Sequence, residues 1–450
     1  MKWIQLLSLN RFGDRVDRER SQQDEARLGL DVDYDRIVFS SAFRSLQDKT
    51  QVVPLPTEVG SHKGFVHTRL THSLEVASVG RSLGRMAGQT LVERHPELGA
   101  LGYRFTDFGS IVSAACLAHD IGNPPFGHGG EKAIGSYFSQ GEGIRLCRGL
   151  NERERLDLIE FEGNANGFHL LCSDRKGVPG GIRLSYSTLG AYVKYPRESI
   201  PQLKKTHVTD KKYGIFQKNR SFFEVLAQTL GLPRRALEGG LAYQRSPLTY
   251  LVEAADDICY TVIDAEDGVA MGLLDLREME QLFRELLGVE LNLDKLNGLA
   301  SPTERMAYLR SVSINYLTRQ CVELFLDNEA GLLEGRLDRS LLELSPEVQV
   351  LDRIIEVCVE RMYRSQEVVL KELKGFGILT RLLHALCPLY LRYGRGEETY
   401  RDRLVLKILR DPFLTTPMND YEALLGAASY VASLSDSAAV QLDAALNGTT

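Results

Sequence analysis

Apolar residues recur along this chain at helical spacing, and few stretches alternate as a half-buried strand would. Leu351, Ile354, Ile355, Cys358 and Met362 fall at i, i+3, i+4, i+7 and i+11, one face of a helix. Val76, Val79 and Leu83 form a similar row near the front, with His72 on it. Lys49 to Pro54 and the stretch around Tyr186 to Tyr195 are the best candidates for short strands. The pattern therefore predicts a mostly α protein with a small β ribbon. Its 450 residues suffice for two or three domains, or for one large helical body with appendages.

Several classes fall away at once. A content of 43% hydrophobic and 25% charged residues is that of a globular protein, not a disordered or fibrous one. A formal charge of −6 excludes a bulk polycation built to coat nucleic acid. Apolar runs such as Ile111 to Ala118, broken by Ser113, fall far short of a membrane span. The opening residues lack the apolar stretch and small-residue cleavage site of a secretory signal. Seven cysteines, odd in number and never in a C-x-x-C pair, read as reduced thiols packed as small hydrophobes. The expectation is a cytoplasmic protein with no membrane partner.

Charge is uneven. Residues 194–220 carry eight Lys/Arg against two acids, a net +6, which leaves −12 for the rest of the chain. An isolated run of this kind is often a solvated loop. Tyr and Phe interleaved with the lysines offer a second reading, a basic flap over a polyanionic ligand, since lysines meet phosphates while rings stack on bases.

Three segments hold potential metal ligands: 67–81, 116–133 and 246–268. In the second, a helix over 107–121 must end near Gly122, because Asn123-Pro124-Pro125 cannot continue it. His119 and Asp120 then lie at a broken helix end, where adjacent side chains can turn toward one ion. Gly127 to Glu131 reads as the opening of another helix, with His128 and Glu131 three residues apart on one face. A carboxylate on an imidazole fixes its tautomer and suits it to proton transfer. In the third segment Ser246 reads as N-cap, Pro247 as first helical residue and Gly268 as the stop. Asp256, Tyr260 and Asp264 align there at i, i+4 and i+8. Alone, His72 on an apolar face reads more readily as a core histidine, and the acidic row as a solvated flank. Together, two imidazoles and two carboxylates make a mixed N/O donor set. Such a set suits Mn²⁺, Fe²⁺, Zn²⁺ or similar ions in a catalytic rather than a closed site.

The order His…His-Asp…Asp is the signature of the HD superfamily of metal-dependent phosphohydrolases. Longer strings are more specific: SSAFRSLQDKTQV (40–52), RLTHSLEVASVGR (69–81), AHDIGNPPFGHGGE (118–131), FEGNANGFHLL (161–171) and EAADDICY (253–260). In this order and spacing they resemble the deoxyguanosine triphosphate triphosphohydrolase (dGTPase) family, and YEALLGAASYVASLSDSAA (421–439) is similar to its closing helices. The resemblance runs from about residue 34 to 440, although 270–420 matches in helical character more than in motif.

That resemblance implies an all-α HD-domain helical fold: an N-terminal arm at 1–33, a catalytic core at 34–275 with the basic flap inserted, and a helical region at 276–450. It makes His72, His119, Asp120 and Asp256 the ligands of a divalent metal ion, Mn²⁺, Mg²⁺ or another transition metal. His128 and Glu131 match the catalytic pair. Gln51 would hold the sugar 3′-hydroxyl, with Asp264 sharing that task, and Arg69 a phosphate oxygen. Tyr260 would pack on the deoxyribose where a 2′-hydroxyl would clash, and Lys194, Tyr195 and Lys212 would clamp the triphosphate. The implied reaction is hydrolysis of a dNTP, dGTP by preference, at the α-phosphorus. Another HD phosphohydrolase activity, or a regulator responding to nucleotide or nucleic acid, stands as the alternative. A homo-oligomer (tetramer or hexamer) and a single-stranded DNA or nucleotide effector belong to the same expectation. Asn123 departs from the second His that many HD nucleotide hydrolases carry there.

Overall fold

The computed structural model describes residues 1–25, 27–50, 67–175, 178–201, 207–237, 240–409, 411 and 413–448, the side chain of His128 excepted. Twenty-two α-helices fall among the described residues, and backbone pairing outside them is limited to isolated bridges such as Thr50 with Thr68 and Glu198 with Ile215. The all-α reading holds; among the described residues the expected ribbon is reduced to such single bridges, and of the candidate strand Lys49 to Pro54 all but Lys49 and Thr50 lies outside the described residues. Tyr186 to Tyr192 forms a helix, not a strand. All seven of its residues are buried, so no polar face betrays its period, and Ser185 caps it by accepting the Thr188 amide.

The elements that build the site are α1 (Arg69–Arg94), α2 (Phe105–Ala118), α3 (His128–Ser139), α4 (Gly163–Cys172), α5 (Tyr186–Tyr192), α6 (Pro247–Ala270), α7 (Pro302–Asp327), α8 (Val348–Cys358), α9 (Gln366–Arg395), α10 (Asp420–Ser433) and α11 (Asp436–Asn447). Thr68 and Thr71 close a reciprocal cap at the start of α1. Gly80, Gly84 and Gly88 form a stripe on α1 that lets α2 lie against it: a Cβ on Gly84 would stand 2.7 Å from the Phe108 carbonyl oxygen. In α6, Pro247 takes the first helical position as expected, but the helix runs past Gly268 to Ala270. Gly268 is there for packing, since a Cβ would meet Leu274 and the Met362 sulfur. The row Leu351, Ile354, Cys358 and Met362 is buried as its spacing requires, and so are all seven cysteines.

Two hydrophobic cores result. The first gathers α1, α2, α6, α7 and α8 around Leu83, Phe108, Ile258, Phe325 and Met362. The N-terminal residues join it, with the Trp3 ring edge-on to Phe108 at 5.7 Å. The second gathers α3, α9, α10 and α11 around Phe126, Phe138, Phe216, Tyr390 and Leu424. Ile121 belongs to the first and Phe126 to the second, so the turn between α2 and α3 carries the chain from one core to the other. Among the described residues, no helix is long and apolar enough to cross a membrane.

Candidate active site

A cavity of about 320 Å³ opens where the cores meet. On its first-core side α1 brings His72, the end of α2 brings His119 and Asp120, and α6 brings Asp256. His72 Nε2 lies 3.2 Å and His119 Nε2 3.4 Å from Asp256 Oδ1, and one donor atom from each of the three residues lies within 4.8 Å of the others. His119 Nδ1 donates to the Cys116 carbonyl at 2.7 Å. That bond fixes the tautomer and leaves the Nε2 lone pair facing the carboxylate. Asp120 spends Oδ1 on Arg69 Nη1 (2.8 Å) and Asn123 Nδ2 (2.6 Å), while its Oδ2 is buried without a hydrogen-bond partner. Burial alone would raise both acids. Instead the Arg69 guanidinium holds Asp120 below the usual carboxylate range, and His119 and His72, in the absence of an ion and when protonated, do the same for Asp256. Two imidazole nitrogens, one carboxylate oxygen and an unpartnered buried carboxylate oxygen fit a divalent cation of borderline character.

On the second-core side α3 starts at His128. Glu131, one turn on, accepts the Gly163 amide at 2.8 Å, at the head of α4. Lys212 ties the flap to this wall, 2.9 Å from Glu162 and 3.9 Å from Glu131. Burial and the nearby Glu131 push the Glu162 carboxyl upward. Lys194 sits 3.3 Å from Glu253, which also holds Arg245 at 2.8 Å, and the Arg245 guanidinium lies over the Tyr195 ring. Burial opposes the charge on Lys194, but Glu253 and Asp257 prevail and raise its pKa. Of the expected flap, Lys194, Tyr195 and Lys212 are thus part of the wall. Asp157 anchors it from inside the second core, accepting from Ser199 Oγ (2.6 Å), the Gln217 amide (2.7 Å) and the Tyr421 hydroxyl (2.5 Å). Burial pushes the Asp157 carboxyl up to about 7.

Tyr260 and Tyr363 face the cavity with ring centroids 5.8 Å apart. Tyr363 ends a π-helical turn, Val359–Tyr363, that follows α8, and its hydroxyl donates to Asp264. Asp264 itself stands behind that phenol, off the cavity wall, and burial lifts its carboxyl to about 6.

Of the residues singled out in the sequence, Arg69, His72, His119, Asp120, Glu131, Lys194, Tyr195, Lys212, Asp256 and Tyr260 all line this one cavity. Gln51 and the His128 side chain lie outside the described residues. Sequence reasoning missed Tyr363, Lys371 and Glu372, which α9 and the turn before it supply. Nothing local marks them, since a Lys-Glu pair on an amphipathic helix looks like any solvated flank. Asn164 and Glu162 were visible within FEGNA, but only as part of a matching string.

Two histidines, an adjacent acid and a distant aspartate, carried by three helices in this order, are the hallmark of one class. The HD domain family model matches residues 69–166, which include His72, His119 and Asp120. A deoxyguanosinetriphosphate triphosphohydrolase-like protein of Synechocystis is 40% identical over 458 residues, covering 100% of this chain and 99% of the relative. A Pseudomonas aeruginosa protein of the same description is 38% identical over 459 residues, again 100% of this chain and 99% of its own. The deoxyguanosinetriphosphate triphosphohydrolase of Serratia proteamaculans is 33% identical over 408 residues, 80% of this chain and 76% of that protein. The chain belongs to the deoxyguanosinetriphosphate triphosphohydrolase-like family of HD-domain hydrolases.

Proposed function

We propose that this protein hydrolyses deoxynucleoside triphosphates, dGTP foremost, to deoxynucleoside and inorganic triphosphate. The observation that carries the reading is one cavity with a cation-binding donor set on one side and Lys194, Lys212 and Arg69 around it. His72, His119, Asp120 and Asp256 would hold a divalent ion. Such an ion supplies Lewis acidity at the α-phosphorus and lowers the pKa of water.

The remaining chemistry belongs to the chain. Arg69 has its Nε buried without a partner, a donor in hand for a phosphate oxygen. Lys194, Tyr195 and Lys212 bind the triphosphate, and their acidic neighbours keep the lysines charged until it arrives. Tyr260 packs on the sugar face and leaves no room for a 2′-hydroxyl, while Gln51 serves the 3′-hydroxyl; Asp264, which accepts the Tyr363 hydroxyl, acts on the site only through that phenol. His128, oriented by Glu131, passes a proton to the 5′-oxygen as the bond to the α-phosphorus breaks. Water supplies the oxygen gained by the triphosphate, which leaves intact.

The test is an endpoint assay with dGTP and Mn²⁺, products resolved by ion exchange, and GTP in parallel. Deoxyguanosine with intact triphosphate, and little turnover of GTP, is the expected result. Surviving dGTP, or release of phosphate or pyrophosphate, overturns it.

A further inference from the structure

We infer that Asp436, the first residue of α11, is a positioning residue for the turn that delivers His128 and Glu131. The inference rests on reading the first turn of α3 as catalytic. Phe126 has φ 65° and Gly127 φ 71°, two successive left-handed residues directly before the helix. Glycine enters that region freely, whereas a side chain as bulky as phenylalanine does so at a cost and stays only where its surroundings over-determine it. Here a glycine would not do, because the Phe126 ring fills a pocket of the second core beside Gly375, where a Cβ would come 2.3 Å from it. The ring sets where the residue sits, and something else must hold its backbone.

Asp436 does so. Its Oδ1 accepts the Phe126 amide at 3.0 Å, across 310 positions of sequence. Its Oδ2 is held by Lys371 Nζ at 2.6 Å and by Thr50 Oγ1 at 3.0 Å, so the carboxylate is itself oriented. The other end of the turn is fastened to the same corner: the fully buried Lys49 donates to the Asn123 carbonyl at 2.7 Å and to the Ala432 carbonyl, near the end of α10, at 2.8 Å. The α10–α11 corner is thus a mould for residues 123–127, and the direction in which α3 sets out follows from it.

The experiment compares Asp436→Ala, Asp436→Glu and Asp436→Asn with the wild-type protein. A misplaced catalytic group costs one to two orders of magnitude, so kcat for dGTP should fall about 10- to 100-fold in Asp436→Ala, with KM and Mn²⁺ bound per chain within about twofold. Asp436→Asn keeps an oxygen for the Phe126 amide but turns its amide nitrogen toward the Lys371 ammonium, and should recover part of the loss. Asp436→Glu keeps the charge but displaces the acceptor and should not; it carries the test should the alanine variant fail to fold. Without nucleotide, hydrogen exchange of the peptide covering 120–131 should quicken about 10-fold in Asp436→Ala or Asp436→Glu. Unchanged exchange overturns the proposal, as does a loss in which KM and metal binding fail together with kcat. If the wild-type protein leaves every dNTP intact, the functional reading fails, and the exchange measurement still decides the role of Asp436.

Discussion

The two cores furnish the cavity with different kinds of side chain. The first contributes short, stiff donors, with Arg69 beside them on Asp120: His72, His119 and Asp256 form one close group, and Asp120 stands 3.9 Å from His119. Around the second, Lys212 reaches in on a long stem and rests against Glu162 and Glu131. The difference suits the loads proposed for the two halves. A small cation tolerates little error in the placement of its ligands, and its proposed donors sit on buried helices or directly at the end of one. A triphosphate spreads its charge over many oxygens, and flexible ammonium groups can follow it.

This division can be broken experimentally. Asp256→Ala should abolish Mn²⁺ binding and lower kcat/KM at least ~10⁴-fold, read by metal titration and turnover together. Retention of the ion would mean that the first core alone does not define the cation site. His128→Ala, on the opposite side, should keep the metal and lose about 10²- to 10⁴-fold in kcat, the usual range for a proton donor. Unchanged kcat at saturating metal would remove His128 from the reaction. Lys212→Ala should be milder still, raising KM for dGTP about 10-fold, and that increment should shrink as salt is raised. An effect confined to kcat would place Lys212 with the proton-transfer pair instead.

The smallest effect concerns the flap anchor. The Asp157 carboxyl is raised from 3.8 to about 7 in the folded protein, so between those values the native state holds a proton that the unfolded chain has released. Its stabilising contribution is therefore complete below about pH 4 and fades as pH rises through about 7. Asp157→Asn cannot titrate. The wild-type-minus-variant difference in urea midpoint should decline over that window and level off above it; a flat difference would show that Asp157 is already ionised at low pH.

The same contrast explains what could be read from the sequence. Three first-core donors carry a local physical signal: a proline-broken helix end at His119-Asp120, and an i, i+4 row on a helix with a proline start at Asp256; His72, on an apolar face, gains meaning only beside them. The flap announced itself by charge. Tyr363, Lys371 and Glu372 reach the cavity through the packing of α9 on the second core, a tertiary fact with no local trace. Helix α5 was mistaken for a strand because burial on every side erases the period that separates the two. Gly268 looked like a stop signal, and only the approach of Leu274 and Met362 reveals why a hydrogen suffices there.

The glycine stripe of α1 has a reach beyond its own contacts. Gly80, Gly84 and Gly88 let α1 and α2 close on each other like the arms of a caliper, and the His72 and His119 rings, at the far end of those arms, stand 5.3 Å apart. Three missing methyl groups, on a helix face two or more turns from His72, thereby set the gauge of the jaws proposed to grip the ion.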